Sequence, residues 1–497
     1  LHIINSFLIY LIICFIVGKK GFSLAIAILF LLHPVQNEAV ACISGISNLI
    51  FAFLCLMSFY AYLVSMHSIE EKKRPFLYAG SLALFFLALL AKEQSVILPV
   101  LIIAYELCFK TEPLQKVFKK RWISIGGFFI VLAGYFTLRK MMFGFALLRP
   151  ADNQGELWIR MLAIPRSLLV YLSLIFFPNG LHYYRSQDIL LPFLGPLLLL
   201  LAILPVVVFL VYRTPRPQKT WMIFGLAWFM ISLAPILNIV PLINEYSKIL
   251  TAEHFLYFPL VGMLFCAMAA VHYWAGKKMK NIMPAGLVTV GIISMVFVGI
   301  NIKQNTYWRG EIPLFERTLH FQKDFGRVRF LLAKAYSSVG RYEDAVREDR
   351  KALAIMKGYE QKVRRADIKE FYRGFIKGIY YHLGYCLDFL GDPEGSLVEF
   401  KNALSLTPKN AAVHYSVGLS YLKVKDIQNA ITHFEKSLEL DGEDLMTMNN
   451  LAVCYQEVGE YGKAEKLLRT ISEKDSRSIS AKQNLENFLK KKQSVGF

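Results

Sequence analysis

The chain has 497 residues, of which 55% are hydrophobic, and it carries a formal net charge of +19. Its mean hydropathy of +0.42 is too high for an ordinary soluble domain, and the apolar residues concentrate in the first part of the chain. The composition therefore indicates a membrane protein, and the basic balance is first a topology signal rather than a sign of nucleic-acid binding. The seven cysteines form no CxxC or zinc-type spacing, so the sequence predicts neither a metal site nor a disulfide framework.

Runs of about 20 apolar residues, the length that crosses the core of a bilayer, predict ten membrane spans. An eleventh apolar stretch, 158–177, differs because Arg160, Pro165 and Arg166 interrupt its first half. The ten predicted spans lie near residues 1–18, 21–33, 49–66, 75–91, 94–109, 122–138, 190–212, 221–240, 255–275 and 281–302.

The charges of the loops between these spans predict their orientation. If the loop after the second span, 33–48, faces outward, the inner loops together hold 16 Lys and Arg against three Glu. The outer loops hold six Lys and Arg against seven Asp and Glu, which is the asymmetry of the positive-inside rule. This pattern requires that 158–177 does not cross. We therefore predict an interfacial or re-entrant helix there and an outside C-terminus.

A polar island, LLHPVQNEAVACISGISNL at 31–49, lies between two apolar runs. Polar side chains at a membrane boundary are costly and usually face a cavity, although an ordinary loop is the alternative. HPVQNEAVACISG resembles the signature loop of membrane O-mannosyltransferase-like proteins with C-terminal tetratricopeptide (TPR) repeats, which belong to the GT-C glycosyltransferase superfamily. The resemblance implies that His33, Gln36, Glu38 and Asn48 bind a donor or substrate.

The resemblance continues in LLAKEQSVILPVLIIAYEL, at 89–107, which is similar to the family's next outer turn. Lys92 there suits a lipid-linked phosphate, and Glu93 could orient a sugar hydroxyl or the lysine. A snorkelling surface pair is the alternative for these two residues. Arg139 and His182, in later outer loops, join the implied site because Arg and aromatic residues suit a phosphate and a sugar ring, with interface anchoring as the alternative.

A third patch, EYSKILTAEHFLYFPLVG at 245–262, resembles the family's AERYLYLPS motif. It adds Glu253, His254 and Tyr257 to the implied donor or substrate site. Two departures weaken the charged part of that site: His254 stands where the family usually has Arg, and the signature loop reads ISGISN where many relatives read ISGRxD. A histidine carries a full charge only part of the time near neutral pH.

The family layout has eleven spans, with a catalytic carboxylate in the first outer loop. HIINSFLIYLI, at 2–12, resembles the family's second span. The resemblance thus implies an N-terminally incomplete chain, with the acidic catalytic loop upstream of Leu1 and the catalytic residue unknown within this sequence.

Repeats of 34 residues appear after the last apolar run. Gly384, Gly418 and Ala452 recur at this interval, as do small residues further along each copy. An earlier copy around Ala333 is offset by 34 plus a 17-residue insertion near 357–373. This is the TPR pattern. The predicted domains are a GT-C-like transmembrane domain (1–302), an amphipathic junction (303–325), four TPR repeats (326–478), and a capping helix and tail (479–497).

A TPR stack exposes a concave groove that binds polypeptide segments. The fifth position of each repeat predicts the groove side chains, with ordinary packing between repeats as the alternative. These residues are Phe330, Tyr381, Tyr415 and Asn449.

The sequence thus predicts an all-α protein in which a polytopic helical bundle precedes a TPR α-solenoid. The function implied by the resemblance is transfer of mannose or a related hexose from a polyprenyl-phosphate donor to a protein acceptor on the outer face of the membrane. A non-catalytic, membrane-anchored TPR scaffold is the alternative. We expect the lipid-linked sugar and a peptide bound in the TPR groove as partners, no cofactor that the sequence makes certain, and no nucleic acid. The expected location is the plasma (inner) membrane with the repeats outside, or the endoplasmic reticulum with lumenal repeats if the source is eukaryotic.

Overall fold

The computed structural model describes residues 1–67, 70–109, 114–143, 154–183, 185–186, 194–237, 249–275, 282–363, 366–474 and 483–490. The chain divides into two compact units, Leu1–Arg317 and Thr318–Phe497, so the boundary falls inside the predicted junction. Helices dominate both units, and the strands among the described residues form one short antiparallel ladder. The all-α class is confirmed. Parts of the predicted loops lie outside the described residues, at 110–113, 144–153, 187–193, 238–248 and 276–281.

The first unit is built from apolar helices joined by short polar turns. Its ladder pairs β1 (Arg185–Ser186) with β2 (Ile249–Thr251). The helices are α1 (His2–Val17), α2 (Lys20–Leu32), α3 (Asn37–Ala41), α4 (Ile46–His67), α5 (Arg74–Ala91), α6 (Leu98–Phe109), α7 (Leu114–Phe143), α8 (Gln154–Phe176), α9 (Leu194–Arg213), α10 (Gln218–Leu233), α11 (Pro259–Trp274) and α12 (Ile282–Tyr307), with α13 (Glu311–Phe321) at the boundary between the units.

Five of the described helices are long and apolar enough to cross a membrane, which is fewer than the ten predicted spans. A sixth would be α2 together with the segment Pro34–Ala41, which is bent by 50° at the break. Pro34 lacks a backbone N–H and disfavours helix at the residue before it, so α2 ends at Leu32. Three more helices are apolar but shorter: α1, α11 and the part of α8 from Met161 to Phe176. The five long segments are Ile46–His67, Arg74–Ala91, Trp122–Met142, Leu194–Arg213 and Gly286–Tyr307.

Helices α10 and α11 of the first unit approach each other closely. A Cβ atom built on Gly225 would lie 2.6 Å from the carbonyl oxygen of Gly262, and one built on Gly262 would lie 2.6 Å from that of Gly225. The two backbones are therefore in direct contact, which only glycine permits at both positions. Trp228 and Phe258 stack beside this contact with ring centroids 5.2 Å apart, and both are buried.

The second unit is a series of helical hairpins. Two of its helices are longer than the rest. The second helix of the first hairpin has 21 residues and the first helix of the second hairpin has 24, whereas the other helices of the repeats have 13 or 14. The predicted insertion near 357–373 includes the end of the first of these helices and the start of the second. The helices are α14 (Gly326–Ser338), α15 (Tyr342–Lys362), α16 (Ala366–Phe389), α17 (Pro393–Leu406), α18 (Ala411–Lys423), α19 (Ile427–Leu440), α20 (Leu445–Glu457) and α21 (Tyr461–Lys474), followed by helical residues 483–490.

The small residues of the repeat pattern lie where the helices of a hairpin cross. A Cβ on Gly384 would lie 2.8 Å from the ring of Phe400, and one on Gly418 would lie 2.7 Å from that of Phe434. The large ring of one helix thus fills the space left by the glycine of the other. This pairing explains the 34-residue period, because each repeat buries its apolar face only against its own partner helix and its neighbours.

Candidate functional site

Direct side-chain contacts join the predicted outer loops at one end of the first unit. The loop 33–48 contacts the segment before α11 through Glu38 and His254, and it contacts the end of α5 through Asn48 and Lys92. Further links run from Glu93 to Arg139 and from Glu253 to Arg185. The structure therefore brings these loops together on the same side of the helix bundle.

Glu38 is the central anion of this end, and only 3% of it is exposed. Its Oε2 accepts the backbone N–H of His254 at 3.0 Å, and its Oε1 lies 2.7 Å from His254 Nδ1. The backbone is extended at Ala252 and then enters a 3₁₀ turn at Glu253–Leu256, so the first N–H groups of that turn have no partner within it. The carboxylate of Glu38 satisfies one of them and fixes the imidazole of His254, which is about one-quarter exposed.

Lys92 and Glu93 are adjacent in sequence but contact different partners. Helix α5 ends at Ala91 and the backbone of Lys92 is extended, so the two side chains leave in different directions. The Lys92 ammonium donates to the side-chain oxygen of Asn48 and lies 5.8 Å from the centroid of the Phe255 ring. Glu93 accepts from the guanidinium of Arg139 in α7. Lys92 therefore faces the Glu38 loop, whereas Glu93 ties two helices together.

Glu253 is a second buried carboxyl group beside Glu38. Its Oε1 accepts the backbone N–H of His182 at 2.8 Å and lies 2.9 Å from the guanidinium of Arg185. Burial raises the pKa of Glu253 to about 7, although Arg185 opposes this shift. Burial also lowers the pKa of His182 to about 4, helped by the neighbouring Arg185. His182 is therefore neutral near pH 7, and its Nδ1–H donates to the carbonyl of Gly180 at 2.6 Å.

Tyr257 lies on the inner wall of the site and is held by residues that sequence reasoning did not assign. Its hydroxyl lies 2.8 Å from His2 Nδ1 and accepts from Asn5 Nδ2 at 3.0 Å. Asn5 also donates to the carbonyl of Leu49, at the start of the helix that follows the polar island. These bonds anchor the site to α1, and two side chains of that helix hold the hydroxyl of Tyr257. An Asn inside an otherwise apolar run was the available signal, because such a residue must find partners when buried.

His33 and Gln36 have different roles although both are buried. His33 Nδ1 accepts the backbone N–H of Val35 and Nε2 donates to the carbonyl of Ile175 at 2.9 Å, so both ring nitrogens are used to position backbone. The side-chain amide of Gln36 has no hydrogen-bond partner within the described part of the chain. A buried amide without partners usually marks the place of a water or ligand atom.

An apolar groove of about 710 Å³ adjoins this polar end. Side chains of α2, α8, α11 and α12 line it, including Phe297 and Met268. His33 and Asn179 of its polar lining lie just after α2 and α8. The other polar lining residues are Lys303, Gln304 and Arg317. The groove and the polar cluster share the segments that carry His33 and Gly180. An elongated apolar molecule with an anionic head would match this distribution of lining residues.

The predicted groove residues of the second unit contact the following repeat. Ser416 donates to the hydroxyl of Tyr381 at 3.3 Å, and Asn450 donates to the hydroxyl of Tyr415 at 3.1 Å. Asn449 accepts from Asn484 at 3.1 Å, which gives the same separation of 35 residues in all three pairs. Phe330 instead packs against His382, with ring centroids 5.9 Å apart. Tyr381 is nevertheless 37% exposed, so its ring offers a contact surface in addition to joining two repeats.

Comparison with known families identifies the repeats of the second unit. Three models described as tetratricopeptide repeat match residues 329–363, 378–410 and 409–474. The chain carries C-terminal TPR repeats, between residues 329 and 474. Their known role in protein–protein interaction applies to this part of the chain, as the sequence predicted.

Similarity to curated proteins is partial. An 84-residue stretch is 31% identical to Protein O-mannosyl-transferase F38B6.6 of Caenorhabditis elegans and covers 17% of this chain and 12% of that protein. A 78-residue stretch is 35% identical to the uncharacterized protein ycf37 of Porphyra purpurea and covers 15% of this chain and 45% of that protein. The chain therefore spans less than half the length of each of these relatives.

Among solved structures, the chain is similar to TPR proteins. YrrB, a TPR protein with an unusual peptide-binding site, is 16% identical with a TM-score of 0.30, and the match covers 38% of this chain and 87% of YrrB. MamA from Desulfovibrio magneticus RS-1 is 17% identical with a TM-score of 0.30, covering 36% of this chain and 94% of MamA.

Proposed function

We propose that the first unit binds a polyprenyl-phosphate sugar and transfers its hexose, mannose or a close relative, to a protein acceptor. The observation that carries this proposal is the buried polar cluster around Glu38 beside an apolar groove of about 710 Å³. The two features match the two parts of a lipid-linked sugar, since the prenyl chain needs an apolar groove and the phosphate needs cations or N–H donors. The partial likeness to an O-mannosyl-transferase supports the same chemistry.

The proposed roles follow from the contacts of each side chain. Lys92 supplies the positive charge that faces the phosphate, because its hydrogen-bond partner among the described residues is the neutral side chain of Asn48. His254 donates to the phosphate from a ring that Glu38 holds in place. Gln36 offers its free amide to a sugar hydroxyl. Glu38 is thus a positioning residue for His254 in this scheme.

Binding of the donor can be tested with Lys92→Met in the full chain in lipid nanodiscs. We expect the variant to bind a radiolabelled polyprenyl-phosphate mannose at least about tenfold more weakly, because a charge-assisted contact to phosphate is worth about 1.5–3 kcal/mol. Lys19→Met is the matched control. Lys19 lies near His272 and Trp221, in the cationic loops at the other end of the helices, and should leave donor binding unchanged. Equal affinity of the wild type and Lys92→Met would contradict the assignment.

The TPR repeats are proposed to bind the polypeptide acceptor through the face that carries Tyr381 and Tyr415. Covalent attachment to the first unit would raise the local concentration of a bound acceptor. We expect Tyr381→Ala/Tyr415→Ala to weaken acceptor-peptide binding by about tenfold or more, because aromatic anchors commonly contribute over 1 kcal/mol each. Binding of the lipid-linked sugar should not change.

A double variant of other tyrosines controls for lost packing. Tyr359→Ala/Tyr421→Ala removes two rings that point elsewhere: Tyr359 donates to the carbonyl of Asp324, and Tyr421 stacks on His433 of α19. It should bind peptide like the wild type in fluorescence titrations. If both double variants bound the peptide normally, the Tyr381 and Tyr415 rings would serve only the contacts between repeats.

The second candidate function is a membrane-anchored scaffold, and the TPR repeats favour it as much as they favour acceptor binding. A scaffold would bind protein partners through the repeats and would have no affinity for lipid-linked sugars. The nanodisc titration above therefore distinguishes the two. In either case we propose ten spans with the TPR repeats on the outer face, at the plasma membrane or in the lumen of the endoplasmic reticulum.

A further inference from the structure

A cluster of metal-ligand side chains lies between α15 and α16 of the second unit. Asp349 of α15 faces His382 and Cys386 of α16, and one ligand atom from each lies within 4.8 Å of the others. Asp349 and Cys386 are fully buried. The spacing of four residues places His382 and Cys386 one turn apart on the same face of the helix. The sequence did not reveal this set because its members come from two helices and share no zinc-type spacing.

The repeat alignment shows that the carboxylate of Asp349 occupies a position that is otherwise apolar. The equivalent residues in the following repeats are Phe400, Phe434 and Leu468. A buried carboxylate at such a position is costly unless its oxygens are bonded. Oδ2 lies 2.6 Å from His382 Nδ1, whereas Oδ1 has no hydrogen-bond partner among the residues that the structure describes. Helix packing alone therefore does not explain Asp349.

The hydrogen bonds of Ser337 indicate how the His382 ring is oriented. The hydroxyl of Ser337 donates to the carbonyl of Lys334 at 2.9 Å, so the same oxygen can accept His382 Nε2–H at 2.8 Å. A neutral ring then presents the lone pair of Nδ1 to the carboxylate of Asp349, and two acceptors would face each other. A cation or a proton between them removes this conflict. A second partner that fixes the other ring nitrogen is typical of metal-binding histidines.

We propose that Asp349, His382 and Cys386 bind one Zn²⁺ ion, or a divalent metal of similar softness, with a fourth position left for water. In a tetrahedral Zn²⁺ site the nitrogen and sulfur ligands lie about 3.6 Å apart, given bond lengths of about 2.05 and 2.3 Å. In the structure, Cys386 Sγ lies 3.9 Å from His382 Nδ1 and 3.8 Å from Nε2. The carboxylate oxygen of Asp349 lies 2.6 Å from Nδ1 and would have to move to about 3.3 Å for both atoms to bind one tetrahedral ion. Thiolate and imidazole ligands exclude Mg²⁺ and Ca²⁺, which prefer oxygen.

Metal binding would replace protons rather than require an oxidant or reductant. Zn²⁺ binds the thiolate of Cys386, whose proton passes to the solvent, together with any proton shared by Asp349 and His382. The ion would then join α15 to α16, the two helices that are longer than the others in the unit. This inference concerns the second unit alone and does not depend on the proposed glycosyltransferase activity.

The test is a titration of the full chain, stripped of metal with EDTA in detergent micelles, with Co²⁺ as the probe. We expect one equivalent of Co²⁺ to give a thiolate-to-cobalt charge-transfer band and tetrahedral visible bands, and Zn²⁺ to displace them. Cys386→Ala should abolish the charge-transfer band. Asp349→Asn should weaken Co²⁺ binding by at least about tenfold while circular dichroism shows an unchanged fold.

Cys454→Ala is the matched control, because Cys454 is a buried cysteine at the position equivalent to Cys386 two repeats further on. It should keep the charge-transfer band. The proposal is wrong if the wild type gives no such band, if the band survives in Cys386→Ala, or if Asp349→Asn binds Co²⁺ like the wild type. In those cases a proton between Asp349 and His382 is the structural explanation of the cluster.

Discussion

Gly225→Leu is expected to prevent the first unit from folding as a stable bundle. The Cβ atom alone would lie 2.6 Å from the carbonyl oxygen of Gly262 and 2.7 Å from the backbone nitrogen of Cys266. Because the obstacle is the backbone of α11 rather than a flexible side chain, the two helices must separate along their whole contact. Overpacking commonly costs 1–3 kcal/mol, and we expect a cost above about 3 kcal/mol here. Thermal denaturation in detergent, followed by size-exclusion chromatography, measures the effect.

Gly286→Leu is the control for the change in residue type. Gly286 lies in α12, where a Cβ atom would meet nothing within 4 Å, so the same substitution should leave the melting temperature nearly unchanged. Leu also favours helix over Gly by somewhat under 1 kcal/mol. Similar melting temperatures for Gly225→Leu and Gly286→Leu would show that the contact of α10 with α11 is not required for stability.

The repeats could be predicted because their signal is local and recurs. Gly384 and Gly418 lie 34 residues apart, and each contacts a large aromatic ring of its own hairpin. The same helix crossing therefore recurs in successive repeats and leaves the same residue pattern in the sequence. The spans were less predictable because hydropathy measures composition and not helix length. The predicted second span contains His33, yet α2 stops at Leu32 and the chain bends by 50° before it continues. Boundaries of this kind depend on tertiary contacts that a window of residues does not contain.

The residues of the candidate site were named from sequence more readily than their partners. Lys92 and Glu93 were both named from the sequence, but their partners Asn48 and Arg139 were not, because the backbone is extended at Lys92 and directs the two side chains to different helices. His33 was expected to bind a donor, whereas the structure uses both of its ring nitrogens on backbone groups. Contacts between loops that are distant in sequence decide which buried polar residue faces a ligand. The charge and spacing of the residues in the sequence do not predict these contacts.

Arg185→Met is expected to lower the free energy of unfolding by about 3–5 kcal/mol, because it leaves the buried carboxylate of Glu253 without its cationic partner. Only 3% of the Glu253 side chain is exposed, and the backbone N–H of His182 would remain as its donor. The exposed pair Lys73 and Glu70 provides the control. Lys73→Met removes a partner whose side chain is 66% exposed, and surface pairs of this kind contribute about 0–1 kcal/mol.

The stability lost in Arg185→Met should also depend on pH, and the titration of Glu253 sets the direction of this dependence. The pKa of Glu253 is already raised to about 7 in the wild type, so its folded form holds a proton more tightly than its unfolded form. Stability from this group is therefore greatest at low pH and falls as pH rises towards 7. Removal of Arg185 raises the pKa further, because Arg185 favours the ionised form. The difference between variant and wild type should then be small near pH 5 and largest above pH 8.

Arg185→Met/Glu253→Gln separates the ion pair from the packing of the arginine stem. If the cost of Arg185→Met arises from an uncompensated charge, the double variant should recover most of the lost stability at pH 8, because Gln keeps an acceptor for the His182 N–H without the charge. If the double variant is as unstable as Arg185→Met at every pH, the guanidinium acts through its bond to the carbonyl of Gly180, 2.7 Å away. Denaturation in mixed detergent micelles at pH 5 and pH 8 distinguishes the two explanations.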